Sequence, residues 1–393
     1  MQYDFTKMPT RPVEESPKWR DMLRFCPGLP SDVAPLSVAD MEFCMAPEII
    51  EGLTAYLKET VLGYSVDTKA YRDAVCGWMA RRHGWKADPN WMICCEGVVP
   101  ALYIAVQAFT QPGDGVLVLT PVYAPFYDAI RRNGRKVVCS PLLYENSSYT
   151  IDFEGLARLA KDPQTKLLLF CSPHNPVGRV WTQEELNRVV QICLENDVLV
   201  VSDEIHSDLV FSPHRHTVFA NLSEAARDSC VVCTAPSKTF NIAGMHVANV
   251  FIPSEKLRNR FKTALDTTGF YSLGTLAYKA CELAYTRCDA WYEELLCVLQ
   301  ENRDFAAEFL KKNLPKVKMI SMEGTYLMWL DLRAYGLETK EQESLMKNEA
   351  KLFLNEGYTF GKEGAGFERI NIACPKKVLE KSLQRLYNAL SLL

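Results

Sequence analysis

The chain has 393 residues, 48% of them hydrophobic, and a formal net charge of −4. This length supports a large core and, because single cores stop growing near about 250–300 residues, two lobes. The negative net charge gives no basic surface for nucleic acid or an anionic membrane. No apolar stretch approaches the ~20 residues that span a bilayer. We expect neither partner, and we expect a cytoplasmic location because the first residues lack a signal peptide's basic start and apolar centre.

Fourteen cysteines are scattered through apolar segments of the chain. In a protein of this size they indicate reduced core residues rather than disulfides. Cys230 and Cys233 have the spacing of a zinc-binding pair, but no second pair or close histidine completes a ligand set. On a strand, side chains three positions apart point to opposite faces. We therefore predict that both are core residues and that the chain has no metal site.

Strand-like apolar runs alternate with helical segments between residues 50 and 285. The runs lie at 116–119, 136–139, 167–170, 198–201 and 231–233, and one helix is predicted over 100–109. Continuous apolar strands between helices indicate a parallel sheet that is covered on both faces. In such a sheet, ligands bind beyond the carboxyl ends of the strands.

After Leu283 the pattern changes to long helices around one strand-like run. The helices are predicted over 290–313, 339–356 and 376–391, and the strand over 325–330. This pattern favours a smaller α+β lobe, with which the N-terminal segment is expected to pack. The predicted domains are therefore residues 50–285 for the large domain, and 1–49 with 286–393 for the small one.

Three of the apolar runs end in polar clusters, which contain Asn175, Asp203 and Lys238. Pyridoxal phosphate requires these groups: a lysine for its aldehyde, an acid for its pyridine nitrogen and a donor for its phenolic oxygen. Each residue also has an ordinary explanation, as a turn asparagine, a helix cap or a surface lysine. Their order and spacing in one chain favour a cofactor site.

The motifs around these residues resemble those of fold-type I pyridoxal phosphate enzymes of the class I/II aminotransferase superfamily. They are Asn-Pro-x-Gly at 175–178, Asp-Glu-Ile-His at 203–206 and Ser-Lys-x-Phe-Asn at 237–241. Further blocks are similar to the cystathionine β-lyase or C–S lyase family; they lie at 38–43, 63–65, 97–102, 121–126, 172–176, 203–209 and 360–375. The resemblance implies an α/β fold of the fold-type I class, with a mostly parallel seven-stranded sheet in a large domain and a smaller α+β domain. It also implies a homodimer with shared active sites.

The resemblance assigns catalytic and cofactor-binding roles within this chain. Lys238 would bind the cofactor and act as the base, and Asp203 would favour the protonated pyridine ring through its negative charge. Asn175 and His206 would donate to the phenolic oxygen, although a lone histidine is often structural. Tyr123 would stack over the pyridine face, where its alternative is a core aromatic.

The phosphate of the cofactor is expected at a predicted helix start. Backbone N–H groups there form a ready anion site, so the resemblance assigns phosphate binding to Gly97, Val98 and Val99. The remaining residues that it assigns to the cofactor are Ser237, His246 and, from the partner subunit, Tyr64. Aminotransferases usually carry a permanently basic residue at the position of His246 and a hydroxyl at that of Ala235, so phosphate anchoring must differ here in detail.

Substrate binding is expected to involve Arg369 and Asp40. A planar guanidinium can hold an α-carboxylate in a bidentate fork, and the Gly-Phe-Glu-Arg-Ile-Asn block around Arg369 matches the family; a surface ion pair is its alternative. Ser37 stands where relatives often have tryptophan, which alters the expected shape of the substrate entrance.

These assignments imply α,β-elimination from a small-molecule amino acid. Cleavage of L-cystathionine or a related cysteine S-conjugate would give pyruvate, ammonia and a thiol. The same residues would serve transamination, so an amino-acid aminotransferase is the alternative; the 203–208 block and the Ala-Cys-Pro at 373–375 favour the lyase. A cofactor-binding regulator without turnover is a third hypothesis, disfavoured because the chain keeps every catalytic position and has no appended helix-turn-helix segment.

Overall fold

The computed structural model of the chain describes residues 2–10, 15–30 and 32–393. Its strands are, in chain order, β1 (Met92–Cys95), β2 (Gly115–Thr120), β3 (Lys136–Pro141), β4 (Leu143–Glu145), β5 (Ser148–Thr150), β6 (Thr165–Cys171), β7 (Leu199–Asp203), β8 (Cys230–Thr234), β9 (Ala248–Phe251), β10 (Lys318–Met319), β11 (Leu327–Asp331), β12 (Asn355–Glu356) and β13 (Phe367–Asn371).

The α-helices are named in the same way. They are α1 (Pro17–Phe25), α2 (Pro47–Glu59), α3 (Lys69–His83), α4 (Val98–Phe109), α5 (Pro125–Arg131), α6 (Phe153–Ala160), α7 (Gln183–Glu195), α8 (Glu224–Asp228), α9 (Glu255–Asp266), α10 (Thr275–Arg287), α11 (Asp289–Asn313), α12 (Thr339–Ser344) and α13 (Lys376–Leu390). None of these helices combines the length and the apolar composition that a membrane span needs.

The larger sheet has seven strands in the order β1-β9-β8-β7-β6-β2-β3. The pairs from β3 to β8 are parallel, and β9 runs antiparallel to both of its neighbours. The predicted mostly parallel sheet and its five apolar strands are confirmed. The edge strand β1 and its neighbour β9 did not stand out in the sequence, because both are short.

Alternate residues of each strand enter two separate cores, one on each face of the sheet. On β6, Leu168 and Phe170 join one core, while Leu167 and Leu169 join the other. The apolar side of α4 covers the second face. Cys230 and Cys233 lie in different cores, which confirms that they point to opposite faces. Because each face of the sheet is covered by a core, the strands must be apolar on both sides, which explains the continuous apolar runs in the sequence.

The helix between β6 and β7 begins at a capping box. Thr182 accepts a hydrogen bond from the backbone of Glu185, and the Glu185 side chain accepts one from the backbone of Thr182. Such a cap contributes about 1 kcal/mol and fixes where α7 starts. The chain therefore returns in register, so that β6 and β7 end side by side with Cys171 opposite Asp203.

The smaller sheet is antiparallel, in the order β10-β11-β13-β12. The N-terminal residues lie beside it: Phe5 packs on Trp291 of α11, and Met22 of α1 shares a small core with Phe353. The division into residues 50–285 against 1–49 and 286–393 stays a proposal, and residues 1, 11–14 and 31 fall outside the described part of the chain.

The single helix predicted over 339–356 is wrong. After α12 the chain forms one π-helical turn, Leu345–Glu349, and leaves the helix at Lys351 with a φ of +51°. Residues 352–354 are consecutive, apolar and buried, which one face of a helix cannot accommodate. Asn355 and Glu356 pair instead with β13, because an extended backbone there satisfies that strand's edge. The other two long helices of the small lobe are confirmed within one residue.

Candidate active site

A cavity of about 510 Å³ lies at the carboxyl edge of the large sheet, where the smaller sheet meets it. It brings together most of the residues that the sequence predicted for the site: Gly97, Val98, Val99, Tyr123, Asn175, Asp203, His206, Ser237, Lys238, His246 and Arg369. Its volume is within the usual range of small-molecule sites. The predicted residues Asp40 and Tyr64 are not among those that line it.

Lys238 follows β8 and points its amine at the loop before α2. Its Nζ donates to the backbone oxygen of Ala39 at 2.9 Å. Burial lowers the pKa of this amine, the Asp40 carboxylate opposes that effect, and the Arg369 guanidinium adds to it. A buried amine with a lowered pKa is available as a nucleophile and as a base.

Asp203 ends β7 and is almost completely buried. Burial raises the pKa of its carboxyl to about 7, although the Ile205 N–H donates to it at 3.1 Å. His206 lies one turn further on, and burial lowers its pKa to about 3. Its Nδ1 is buried and finds no hydrogen-bond partner within the described part of the chain. A ligand that brings a cationic ring nitrogen and a polar oxygen would satisfy both groups, as pyridoxal phosphate does.

Gly97 shapes the other end of the cavity. Its φ of +117° is strained for any residue with a Cβ, so glycine is needed there whatever the space. Helix α4 begins at the next residue without a side-chain cap, and Pro100 has no N–H. The free donors of the first turn are therefore those of Val98 and Val99, which suit a phosphate. Ser237 and the exposed side chain of His246 line the same cavity.

Arg369 reaches the cavity from β13. Its Nη1 donates to Asn175 Oδ1 at 2.8 Å, so the amide nitrogen of Asn175 is left as that residue's donor. Burial lowers the pKa of the guanidinium to about 10. Tyr123 is partly buried in the same cavity, where burial raises the pKa of its phenol and Arg369 lowers it.

Sequence reasoning missed the groups that hold the loop at 38–41. The Ala39 oxygen also accepts from Tyr326 Oη at 2.7 Å, and the Asp40 oxygen accepts from Lys18 Nζ at 2.8 Å and Asn371 Nδ2 at 2.7 Å. Asp40 therefore acts on Lys238 through its charge while its backbone anchors the loop, and its predicted contact with substrate stays a prediction. No local pattern could reveal these contacts, because the partners are distant in sequence.

A buried carboxylate connects the turns that carry Lys238 and His206. Asp208 accepts from Trp78 Nε1 at 2.9 Å and His83 Nε2 at 2.8 Å through one oxygen, and from Thr239 Oγ1 at 2.7 Å through the other. Burial alone would raise the pKa of Asp208, but these donors hold it below its usual range. Because Thr239 follows Lys238 directly, this bond fixes the position of the turn that carries Lys238.

Tyr64 does not line the cavity of its own chain. Its side chain is 99% exposed and packs edge-on against Tyr271, which is itself exposed. Val61, Leu62 and Val66 are exposed beside it in sequence. These five residues form an apolar patch, and such patches mark interaction surfaces.

Comparisons with known proteins agree with this geometry. The family model for class I and II aminotransferases matches residues 32–386. Cystathionine β-lyase PatB of Bacillus subtilis strain 168 is 43% identical over 99% of this chain and 100% of that protein. The solved structure of cystalysin from Treponema denticola, which contains pyridoxal 5′-phosphate, has a TM-score of 0.97 and 47% identity and covers 100% of this chain and 99% of its own. The pyridoxal-phosphate-bound C–S lyase of Staphylococcus hominis has a TM-score of 0.91 and 31% identity, and the match covers 99% of this chain and 98% of that chain.

His174, from the 172–176 block, lies behind the cavity rather than in it. It is fully buried, its Nε2 lies 2.9 Å from the Pro121 oxygen, and burial lowers its pKa from 6.5 to about 4. The unfolded chain therefore binds a proton between these pH values that the folded chain does not bind. The stability that depends on neutral His174 is fully present above pH 6.5, and it is lost as the pH is lowered towards 4.

We predict that His174→Gln flattens this dependence. The wild-type protein should lose up to about 3 kcal/mol of unfolding free energy from this group between pH 6.5 and 4, and the variant should not. Urea unfolding of the cofactor-free protein at several pH values measures the difference. Curves that stay parallel for the two proteins would contradict the assignment.

Proposed function

Because the chain belongs to the class I and II aminotransferase family, we propose that it is a pyridoxal-phosphate-dependent carbon–sulfur β-lyase. Its substrates are L-cystathionine or related cysteine S-conjugates, and its products are pyruvate, ammonia and a thiol. One observation carries the proposal: a single buried cavity holds Lys238, Asp203 and Arg369 in a chain 43% identical to a cystathionine β-lyase over its whole length.

The residues of the cavity fit the cofactor group by group. Asp203 would face the pyridine nitrogen, the amide nitrogen of Asn175 and the ring of His206 would face the phenolic oxygen, and the N–H groups of Val98 and Val99 would bind the phosphate. When bound, pyridoxal phosphate supplies an electron sink for a carbanion at the substrate's α-carbon. A cationic nitrogen would also keep Asp203 ionised, although burial raises its pKa to about 7.

Lys238 and Arg369 would do the work on the substrate. Arg369 would hold the α-carboxylate, and the Lys238 amine would remove the α-proton, which its lowered pKa and its bond to Ala39 prepare it to do. The β-carbon–sulfur bond then breaks and the thiolate leaves with the bonding electrons. The released aminoacrylate adds water and loses ammonia to give pyruvate.

Transamination is the second candidate, because the matched family is named for aminotransferases and the same residues would serve it. Elimination needs no keto-acid acceptor, whereas repeated transamination does. The lyase is preferred because the blocks that resemble lyases extend over the whole chain and the relatives named above are lyases. A regulator without turnover is disfavoured, since the catalytic groups are assembled in one cavity.

We also propose a homodimer with shared active sites. The chain itself leaves the apolar patch around Tyr64 uncovered: the exposed fraction is 99% for Tyr64 and 82% for Val61. The resemblance assigns Tyr64 to the cofactor phosphate of the partner subunit, and an exposed Tyr64 is free to take that place. A cytoplasmic location is part of the proposal, supported by fourteen cysteines that are all free.

We predict that Lys238 is the lysine that binds the cofactor. Borohydride reduction of the loaded protein should place the pyridoxyl label on Lys238, as peptide mapping measures. Lys18 is an internal control, because it is buried and forms an ion pair with Glu42 at 2.6 Å, and it should stay unlabelled. Lys238→Ala should retain weak cofactor binding and lose turnover, because positioning survives without the base. Label on another lysine would contradict the assignment.

We predict that the loaded protein cleaves L-cystathionine without any added keto acid. Pyruvate, ammonia and free thiol should appear in equal amounts, because a thiolate at the β-carbon leaves readily. A parallel incubation of common amino acids with 2-oxoglutarate should give little glutamate, and the Lys238→Ala protein is the blank for both reactions. Glutamate formed at catalytic rates without pyruvate would favour the aminotransferase.

We predict that two inactive variants restore activity when mixed. In a hybrid dimer of Lys238→Ala and Tyr64→Ala chains, one site would combine the intact Lys238 of one chain with the intact Tyr64 of the other. Unfolding and refolding the two proteins together should therefore recover part of the wild-type rate, whereas each variant refolded alone should not. Activity that never rises above the sum of the separate variants would rule out a shared site.

A further inference from the structure

Asn355 connects the guanidinium of Arg369 to the backbone on the opposite wall of the cavity. Its Oδ1 accepts from Arg369 Nη2 at 2.7 Å and from the N–H of Val38 at 2.9 Å. It stands opposite Arg369 in the pairing of β12 with β13, so the backbone fixes this contact. No local pattern indicates this contact, since Asn355 lies in the segment whose sequence predicts a helix.

Both hydrogen-bond partners of Arg369 are neutral. They are the amide oxygens of Asn175 and Asn355, and the guanidinium forms no ion pair with a carboxylate in the part of the chain that the structure describes. Arg369 is 3% exposed, so it is a buried cation that has no carboxylate partner among the described residues. An amide orients such a cation but leaves its charge available, whereas a carboxylate would neutralise it.

Val38 is held in a strained conformation by the same amide. Its φ of +54° is unfavourable for a β-branched residue, and it lines the cavity. Asn355 accepts a hydrogen bond from the Val38 N–H, and the backbone oxygen of Val38 accepts one from Asn371 Nδ2 at 2.9 Å. The next residue, Ala39, accepts from Lys238. Asn355 therefore joins the group for the carboxylate to the backbone that meets the catalytic amine.

We propose that Asn355 is a positioning residue for recognition of the α-carboxylate, which orients Arg369 against the strained Val38 loop while leaving its positive charge for the substrate. The inference rests on the proposed function only in taking Arg369 as the carboxylate-binding group. It does not depend on whether the reaction is elimination or transamination.

The isosteric change Asn355→Asp tests the proposal, because it keeps both hydrogen bonds and adds the missing counter-charge. Two probes separate the carboxylate from the amine: L-alanine, which has no leaving group at its β-carbon, and ethylamine, which lacks the carboxylate. Titrations followed by the absorbance of the bound cofactor should show L-alanine weakened about tenfold or more and ethylamine changed less than about twofold.

The thermal stability of the same variant should move in the opposite direction. Because the buried cation gains a partner, the Tm of the loaded protein should rise by about 2 °C or more. Asn348→Asp is the matched control, since it adds one negative charge at an exposed residue of the same lobe, and it should change neither probe. If Asn355 were merely structural, the change would destabilise the protein, so a lower Tm contradicts the proposal. An equal loss of affinity for L-alanine and ethylamine would contradict it as well.

Asn355→Ala provides a second, independent test. It should lower the Tm and weaken L-alanine several-fold more than ethylamine, and equal effects on the two probes would overturn the proposal. Failure of the proposed function gives a different result. If the wild-type protein binds L-alanine no better than ethylamine, Arg369 does not hold a carboxylate in the first place.

Discussion

The parallel pairing of β6, β7 and β8 is the constraint on which the site depends. Three adjacent parallel strands end at one edge of the sheet. They bring Asn175, Asp203 and Lys238 to one cavity, although the first and last of these are more than sixty positions apart in sequence. The apolar residues on both faces of the sheet fix this register, because a slip of one residue would exchange the two cores. The chemistry therefore follows from burial of the strands, and the polar residues need only stand at their ends.

The cost of this arrangement is an excess of buried charge. Burial raises the pKa of Asp203 and lowers that of Arg369, so in each case the charged form is the one that the interior disfavours. Each lacks a partner of opposite charge within hydrogen-bonding distance in the described part of the chain. A cationic pyridine nitrogen beside Asp203 and a carboxylate beside Arg369 would supply one each. The fold thus leaves the charge complement of cofactor and substrate to the ligands, which gives both of them affinity and orientation.

Sequence reasoning succeeded where a single local signal determines the structure. Apolar runs located the strands, and the block around Arg369 identified it although no periodicity pointed to the site. It failed over 339–356, where helix-forming residues are overridden by the burial of residues 352–354 and by pairing with β13. Asn355 and Asp208 were missed for a related reason: their roles exist only through partners far away in sequence, such as Val38 and Trp78.

The groups proposed to bind the amino-acid head are coupled to the loop that lines another wall of the cavity. In the proposed function the head would meet Arg369, Asn175 and Lys238, which are held by strands or by hydrogen bonds, so every α-amino acid would encounter the same groups. Beyond these groups, the cavity is lined by Val38 and Ala39 of the loop at 38–41, by Ile205 and by Asn355 of β12. Because Ala39 accepts from Lys238, a substitution that moves the loop at 38–41 would also disturb the Lys238 amine, and a change at Asn355 would affect the head of every substrate alike.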